Sequence, residues 1–451
     1  MSGWTARVCA AATALAVCAG CAAPAQHARY RAQREVARAE SSAATAEERD
    51  PFVRTEALSR RALVASVLER NPGLEAARAS WQAALARYPQ EIALQDPSFG
   101  YGTRPRSFSS DEVDPAHDFE LSQAFPFPGK LGLRGEMALA SADAAGEGVA
   151  AERLRLAALA STLFDEYWLA TRALETNAQH QALLDELYEV ALSRYAAGNG
   201  SRQDVLAAET ERTMLLHTGI ELAADRRIIS ERINTLLHRA PSEPLPAPED
   251  ALDASPAHDL DVAALAEQAL SRRPDLRARA AQIRAREAAV ALAEREFLPD
   301  FRLRGGYEGS WQETPLKPFI GVELNLPIQL ERRRAALDEA NALLARERSR
   351  SRSLEDRVRF EVTAAVERLR EAQHLLELTR ERLLPATQDR AASARAAFET
   401  GQASFLELVD AERALRSAEF GEREAQAAVS RRHAELARAV GETVAVGEGQ
   451  P

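Results

Sequence analysis

The chain carries the same helix-ending turn twice. "RYAAGNGSRQDVLAAE", from Arg194 to Glu209, is echoed by "AAFETGQASFLELVDAE", so that Tyr195, Gly198, Ser201, Asp204, Ala208 and Glu209 answer Phe398, Gly401, Ser404, Glu407, Ala411 and Glu412 at a spacing of 203. Two further anchors keep the same order. Pro72, Pro97 and Phe99 precede Pro274, Pro299 and Phe301 by 202 residues, and Leu121, Phe125 and Pro126 precede Val322, Leu326 and Pro327 by 201. Three anchors in one order, drifting by a residue or two, divide the chain into two copies of one unit. The copies span 58–240 and 259–441, with a Pro-rich linker at 241–258 and a tail at 442–451.

Each copy has the same grammar: a helix of roughly 25 residues, a strand, a polar loop, a second strand, a very long helix, the turn and a returning helix. The strands are short. Ile320, Val322, Leu324 and Leu326 alternate with Gly321, Glu323 and Asn325, and Phe119, Leu121 and Phe125 do likewise, giving one apolar face at a period of two. Between Gly129 and Ala240 there is no proline, and Leu156, Leu159, Leu163, Tyr167, Ala170 and Leu174 step by three and four. A helix from about Lys130 to Ala197 extends roughly 100 Å at 1.5 Å per residue, which predicts an elongated molecule. A plain coiled-coil rod would account for the Leu and Ala stripe, but not for four strands with proline at the strand–helix junctions.

The N-terminus has its own character. Arg7, the apolar "VCAAATALAV" and the small residues of "CAGC" read as a signal peptide over 1–20, too short in its apolar part to anchor as a spanning helix. "AGC" resembles the lipobox of bacterial lipoproteins, which makes Cys21 the acylated first residue of the mature chain. Cys18 stands where such boxes carry Leu or Val, and cleavage without lipidation is the alternative. Ala22, rather than Asp, favours the outer membrane in such lipoproteins. All three cysteines lie in this segment, so no internal disulfide and no thiolate metal site is expected beyond it. Residues 21–57 show little apolar periodicity and read as a tether or a loosely wrapped extension.

A chain of 451 residues with 46% hydrophobic and 28% charged residues is expected to fold. Its net charge of −11, with Arg interleaved among Glu along helical segments, argues against a nucleic-acid partner. No segment beyond the signal is apolar enough to span as a helix, so strands that cross a membrane must do so in a closed barrel. Four strands cannot close one, since single-chain barrels begin at about eight. Several chains must therefore share it. The fold class expected is mainly α with a small β part: a long α-helical barrel, and a β-barrel shared between chains.

The strand–helix segment "LSQAFPFPGKLGLRGEMA", its weaker partner "VELNLPIQLERRRAALDEA" and the paired turns together resemble the TolC-like outer-membrane efflux proteins, over both repeats. The resemblance implies a homotrimer with a 12-strand barrel in outer-membrane lipid and a helical tunnel through the periplasm. It implies two protein partners, a periplasmic adaptor and an inner-membrane pump. "QAFPFPGKLGLRGE" looks most like the branch associated with heavy-metal cation efflux, and within the family this segment marks the exit from the barrel. The turns then lie at the periplasmic tip as adaptor contacts. Gly198 and Gly401 would supply left-handed helix ends, and Ser201 and Ser404 would cap the returning helices. Asp204 suits a first helical turn on dipole grounds alone. Glu407 and Asp410 fall where similar proteins place acidic rings, so these three carboxylates are read as pore-entrance residues. The gating arginine of some relatives is replaced by Ala403.

Enzymatic readings find no support. The eight histidines, among them His117, His180, His217, His374 and His433, are scattered without ligand spacing, and no phosphate loop or nucleophile elbow occurs. No cofactor is expected. Three methionines provide no ladder for soft metals, so metal specificity would belong to the pump. Two readings stay open: a passive export conduit, and a periplasmic coiled-coil scaffold lipoprotein without a pore.

Overall fold

The computed structural model of the protein describes residues 24–42, 57–109, 116–252 and 260–442. The signal segment 1–20, Cys21 and the tail from 443 onward lie outside the described residues. In chain order α1 (Pro24–Ser42) precedes the first repeat, which comprises α2 (Arg60–Arg70), α3 (Pro72–Leu85), α4 (Arg87–Glu91), β1 (Ser98–Thr103), β2 (His117–Phe125), α5 (Lys130–Ala196) and α6 (Arg202–Leu236). The second repeats the order as α7 (Val262–Arg272), α8 (Pro274–Arg295), β3 (Phe301–Glu308), β4 (Pro318–Leu324), α9 (Leu330–Leu378), α10 (Leu384–Glu399) and α11 (Phe405–Val440).

Two compact units form, and each draws on both repeats. One holds α1, α4, the four strands and the adjoining parts of α5 and α9. The other holds α2, α6, α7, α10, α11 and the rest of α5 and α9.

Three local features depart from the sequence grammar, each for a physical reason. The opening helix of each repeat is broken at its proline: Asn71 (ψ 121°) and Arg273 (ψ 125°) are extended, because the proline ring disfavours helical geometry in the residue before it. The long helix of the second repeat contains a π turn, Thr379–Leu383, that ends two residues before Pro385. A proline that lacks its N–H cannot complete the regular ladder, and the wider turn absorbs the misfit. Finally, much of the segment expected to be a tether or a loosely wrapped extension is the 19-residue helix α1, laid on α5. Its hold on α5 is polar, which apolar periodicity does not reveal: Arg29 pairs with Glu136 at 3.0 Å and with Asp143, and Gln33 also bonds Asp143. Tyr30 packs on Tyr88, ring centroids 4.9 Å apart.

The four strands form one antiparallel sheet in the order β1-β2-β3-β4. Register puts Phe99 opposite Leu121, Tyr101 opposite Phe119, Phe119 opposite Tyr307 and Leu303 opposite Val322. One face is thus a continuous apolar surface, and it is bare: Phe99 is 69% exposed, Leu121 57%, Ile320 76% and Val322 64%. The opposite face carries Glu120, Arg302, Arg304 and Glu323. Neither β1 nor β4 has a second neighbour among the described residues.

The junction from sheet to helix explains the "FPGK" run. Gly129 has φ +91°, and the Arg295 guanidinium occupies the space a Cβ would need while donating to the Pro128 carbonyl at 2.9 Å. Lys130 is 1% exposed. Its Nζ donates to Asp300 (2.9 Å), Glu296 (3.3 Å) and the Leu298 carbonyl (3.3 Å), so the buried charge is fully paired. Asp300 in turn accepts from the Phe127 N–H at 2.7 Å, which ties the end of β2 to the start of β3.

Candidate functional site

The two turns that the sequence pairs have the same backbone construction. At the end of α5, the Gly198 N–H donates to the Tyr195 carbonyl (3.0 Å) and the Asn199 N–H to the Arg194 carbonyl (2.9 Å). At the end of α10, Gly401 donates to Phe398 (3.1 Å) and Gln402 to Ala397 (2.8 Å). This double closure requires a left-handed residue, and φ is +75° at Gly198 and +74° at Gly401. A Cβ at either glycine would point into open space, so backbone angle alone selects glycine.

Both returning helices then begin with a reciprocal capping box. The Ser201 hydroxyl accepts from the Asp204 N–H at 3.1 Å, and the Ser201 N–H donates to the Asp204 carboxylate at 3.1 Å. The Ser404 hydroxyl accepts from the Glu407 N–H at 3.2 Å, and the Ser404 N–H donates to Glu407 at 2.9 Å. Serine caps were legible in the sequence; the return bonds give Asp204 and Glu407 a structural task beyond their interaction with the helix dipole. Asp410 lies one turn further along α11, exposed, with Arg390 of α10 as its ion-pair partner.

Most groups that hold this end together were not singled out in the sequence, and Ala208, Phe398 and Glu412 entered there only as members of the repeat. Leu184, Leu187, Ala191, Ala208 and Leu215 of the first hairpin bury against Phe398, Phe405, Leu408 and Val409 of the second. The Arg194 guanidinium lies 4.2 Å from the centre of the Phe398 ring and donates to the Phe398 carbonyl at 3.1 Å, so a residue of one turn caps the helix that ends at the other. Glu211, 1% exposed, accepts from Arg413 (2.7 Å) and Arg416 (3.2 Å) of α11. Glu412, 2% exposed, accepts from Arg395 at 2.7 Å. The signal was present: Glu412 has an acidic counterpart in Glu209, yet only Glu412 is buried, and a two-residue shift to Glu211 supplies the buried carboxylate in the first repeat.

Among the described residues no cluster of His, Cys, Asp or Glu could hold a metal ion, and no helix is long and apolar enough to cross a membrane.

Residues 265–442 match the family described as outer membrane efflux protein. No curated protein matches the chain. Among solved structures, the outer-membrane channel OprN superposes with a TM-score of 0.74 at 21% identity, covering 88% of this chain and 95% of its own. CusC, described in terms of transmembrane channel formation, gives 0.73 at 17% identity, with 88% and 96% covered. The outer membrane protein VceC of Vibrio cholerae gives 0.72 at 18%, with 85% and 96% covered. These likenesses establish the fold over nearly the whole chain.

Proposed function

We infer that this chain, a TolC-like outer-membrane efflux protein, is the outer-membrane channel of a tripartite export system and a passive conduit across the periplasm and outer membrane. The observation that carries the reading is the sheet. An apolar face as exposed as that of Phe99, Leu121, Ile320 and Val322 is costly in water, and the charged opposite face is costly in lipid. A barrel wall, lipid on one side and water on the other, satisfies both. The open edges at β1 and β4 call for further strands, which three copies of a four-stranded sheet would supply. A scaffold without a pore would leave both the apolar face and the edges in water.

On this reading the turns at Gly198–Ser201 and Gly401–Ser404 are the adaptor contacts at the periplasmic tip. Asp204, Glu407 and Asp410 ring the entrance, where threefold repetition concentrates carboxylates beyond what Arg390 of each chain offsets. Cys21 is the acylated residue. Pro24, three residues on, begins a helix whose first turn bonds Gly132 beside the sheet (Gln26 to the Gly132 carbonyl, 3.2 Å), a placement suited to a lipid anchored at the barrel's edge. The cargo we propose is heavy-metal cations delivered by the pump; "QAFPFPGKLGLRGE" supports that branch, although Lys130 and Gly129 within it serve the junction rather than the cargo.

The conduit requires a detergent-resistant trimer that shifts on heating and fractionates with the outer membrane. A monomer in the periplasmic fraction would refute it. The entrance is tested by Glu407→Gln with Asp410→Asn in planar bilayers. Gln at 407 can keep the capping box, so folding is retained while cation selectivity and block by multivalent cations from the periplasmic side are lost. Matching changes at Glu367 and Glu371 should alter neither. Unaltered selectivity and block in the double variant would leave Glu407 as a capping residue only.

A further inference from the structure

The polar face of the sheet carries two levels of charge that cancel across strands and a third that does not. Arg302 of β3 stands directly opposite Glu323 of β4, with 3.6 Å between guanidinium and carboxylate. Arg304, one step along the same face, lies 3.9 Å from Glu120 of β2. Its side chain runs flat over Gly321, the residue opposite, with Cγ and Nε each 3.6 Å from where a Cβ would sit. Beyond it Arg104 reaches Asp118 at 3.1 Å and Glu308 at 3.9 Å, a level with one carboxylate in excess. At the levels of Arg302 and Arg304, basic β3 is thus flanked by acidic β2 and β4, while Glu308 at the end of β3 departs from the pattern.

Sheet stability does not account for this pattern. The side chains at 302, 304, 120 and 323 are 42–51% exposed, and ion pairs that open to solvent contribute little to folding. The pattern matters to whatever passes. A charge on a water-filled wall backed by lipid has its field focused into the lumen, so an unpaired arginine or glutamate there would act on every ion in transit. We propose that Arg302 and Arg304 are specificity-determining residues of the barrel: paired with Glu323 and Glu120, they keep the two levels they occupy electrically neutral, which confines the wall's net fixed charge to the level of Arg104, Asp118 and Glu308 and limits the barrel's own discrimination between solutes of either sign. The inference rests on the conduit reading and adds residues to it that the turns do not involve.

The test uses the full-length trimer in planar bilayers under a potassium chloride gradient, with Asp204→Asn, Glu407→Gln and Asp410→Asn present throughout so that the three entrance carboxylates are neutral. Arg302→Gln with Arg304→Gln should move the reversal potential severalfold toward cation preference. Glu120→Gln with Glu323→Gln should move it toward anion preference. Exchanging one pair, Glu120→Arg with Arg304→Glu, should restore the parent ratio, which a merely structural role would not require, and it keeps both side-chain types should a double variant fold poorly. Identical reversal potentials in all three, or shifts of one sign in both double variants, would overturn the proposal. No conductance from the parent trimer is a different result: it would overturn the conduit reading beneath.

Discussion

Asp165 is the most perturbed single residue. It lies on α5, fully buried, with Arg60 of α2 and the Ser430 hydroxyl of α11 (3.1 Å) on one carboxylate oxygen and no partner on the other among the described residues. Burial pushes its pKa from 3.8 up to about 7, against the opposing pull of Arg60, Ser430 and Arg431. The folded form therefore binds a proton that the unfolded chain has released, and the stabilising contribution is complete below pH 4 and lost as pH rises through 7. Asp165→Asn should flatten the melting temperature between pH 5 and 8, where the wild type declines by an amount corresponding at most to about 3 kcal/mol. Parallel melting profiles for the two proteins would contradict this. Neither Asp165 nor Lys130 could be chosen from the sequence: one Asp of three on a 67-residue helix, one Lys after a glycine. Burial and partners arrive from segments over one hundred residues away, and periodicity carries no such information.

The repeated elements were far more legible. The turns follow from two local rules, glycine for a left-handed angle and serine for a cap, and duplication confirms each copy by the other. Strand faces follow from alternation. Less legible were α1, whose docking is polar, and the break at each inner proline, where a continuous apolar pattern hides a change of direction. The turn geometry makes a discriminating prediction. Gly401→Val forces a β-branched residue to φ +74° at a cost of roughly 1–2 kcal/mol and should weaken adaptor cross-linking while the trimer persists. Gly401→Asn, which tolerates that angle, should retain most cross-linking. Equal cross-linking by wild type and the Val variant would remove the turn from the docking surface.

At the scale of the whole molecule, the duplication and the strand count were legible in the sequence, and they led to the expectation of a barrel shared between chains, while compact units that ignore the repeat boundaries could not be foreseen. Cys21→Ser should abolish acyl labelling and weaken membrane association, with the trimer still inserted by its strands; labelling that persists in the variant would exclude Cys21 as the attachment point. The exposed rims of β1 and β4 have a further consequence for the life of the newly made chain. A solitary copy presents two unsatisfied strand margins beside a greasy surface, the combination that seeds fibrils and misassembly. Such a chain cannot wait safely for company in lipid, where unpaired peptide groups have no water to turn to. On the conduit reading, insertion and association are therefore expected to be coupled, with copies reaching the membrane together or under escort rather than one at a time.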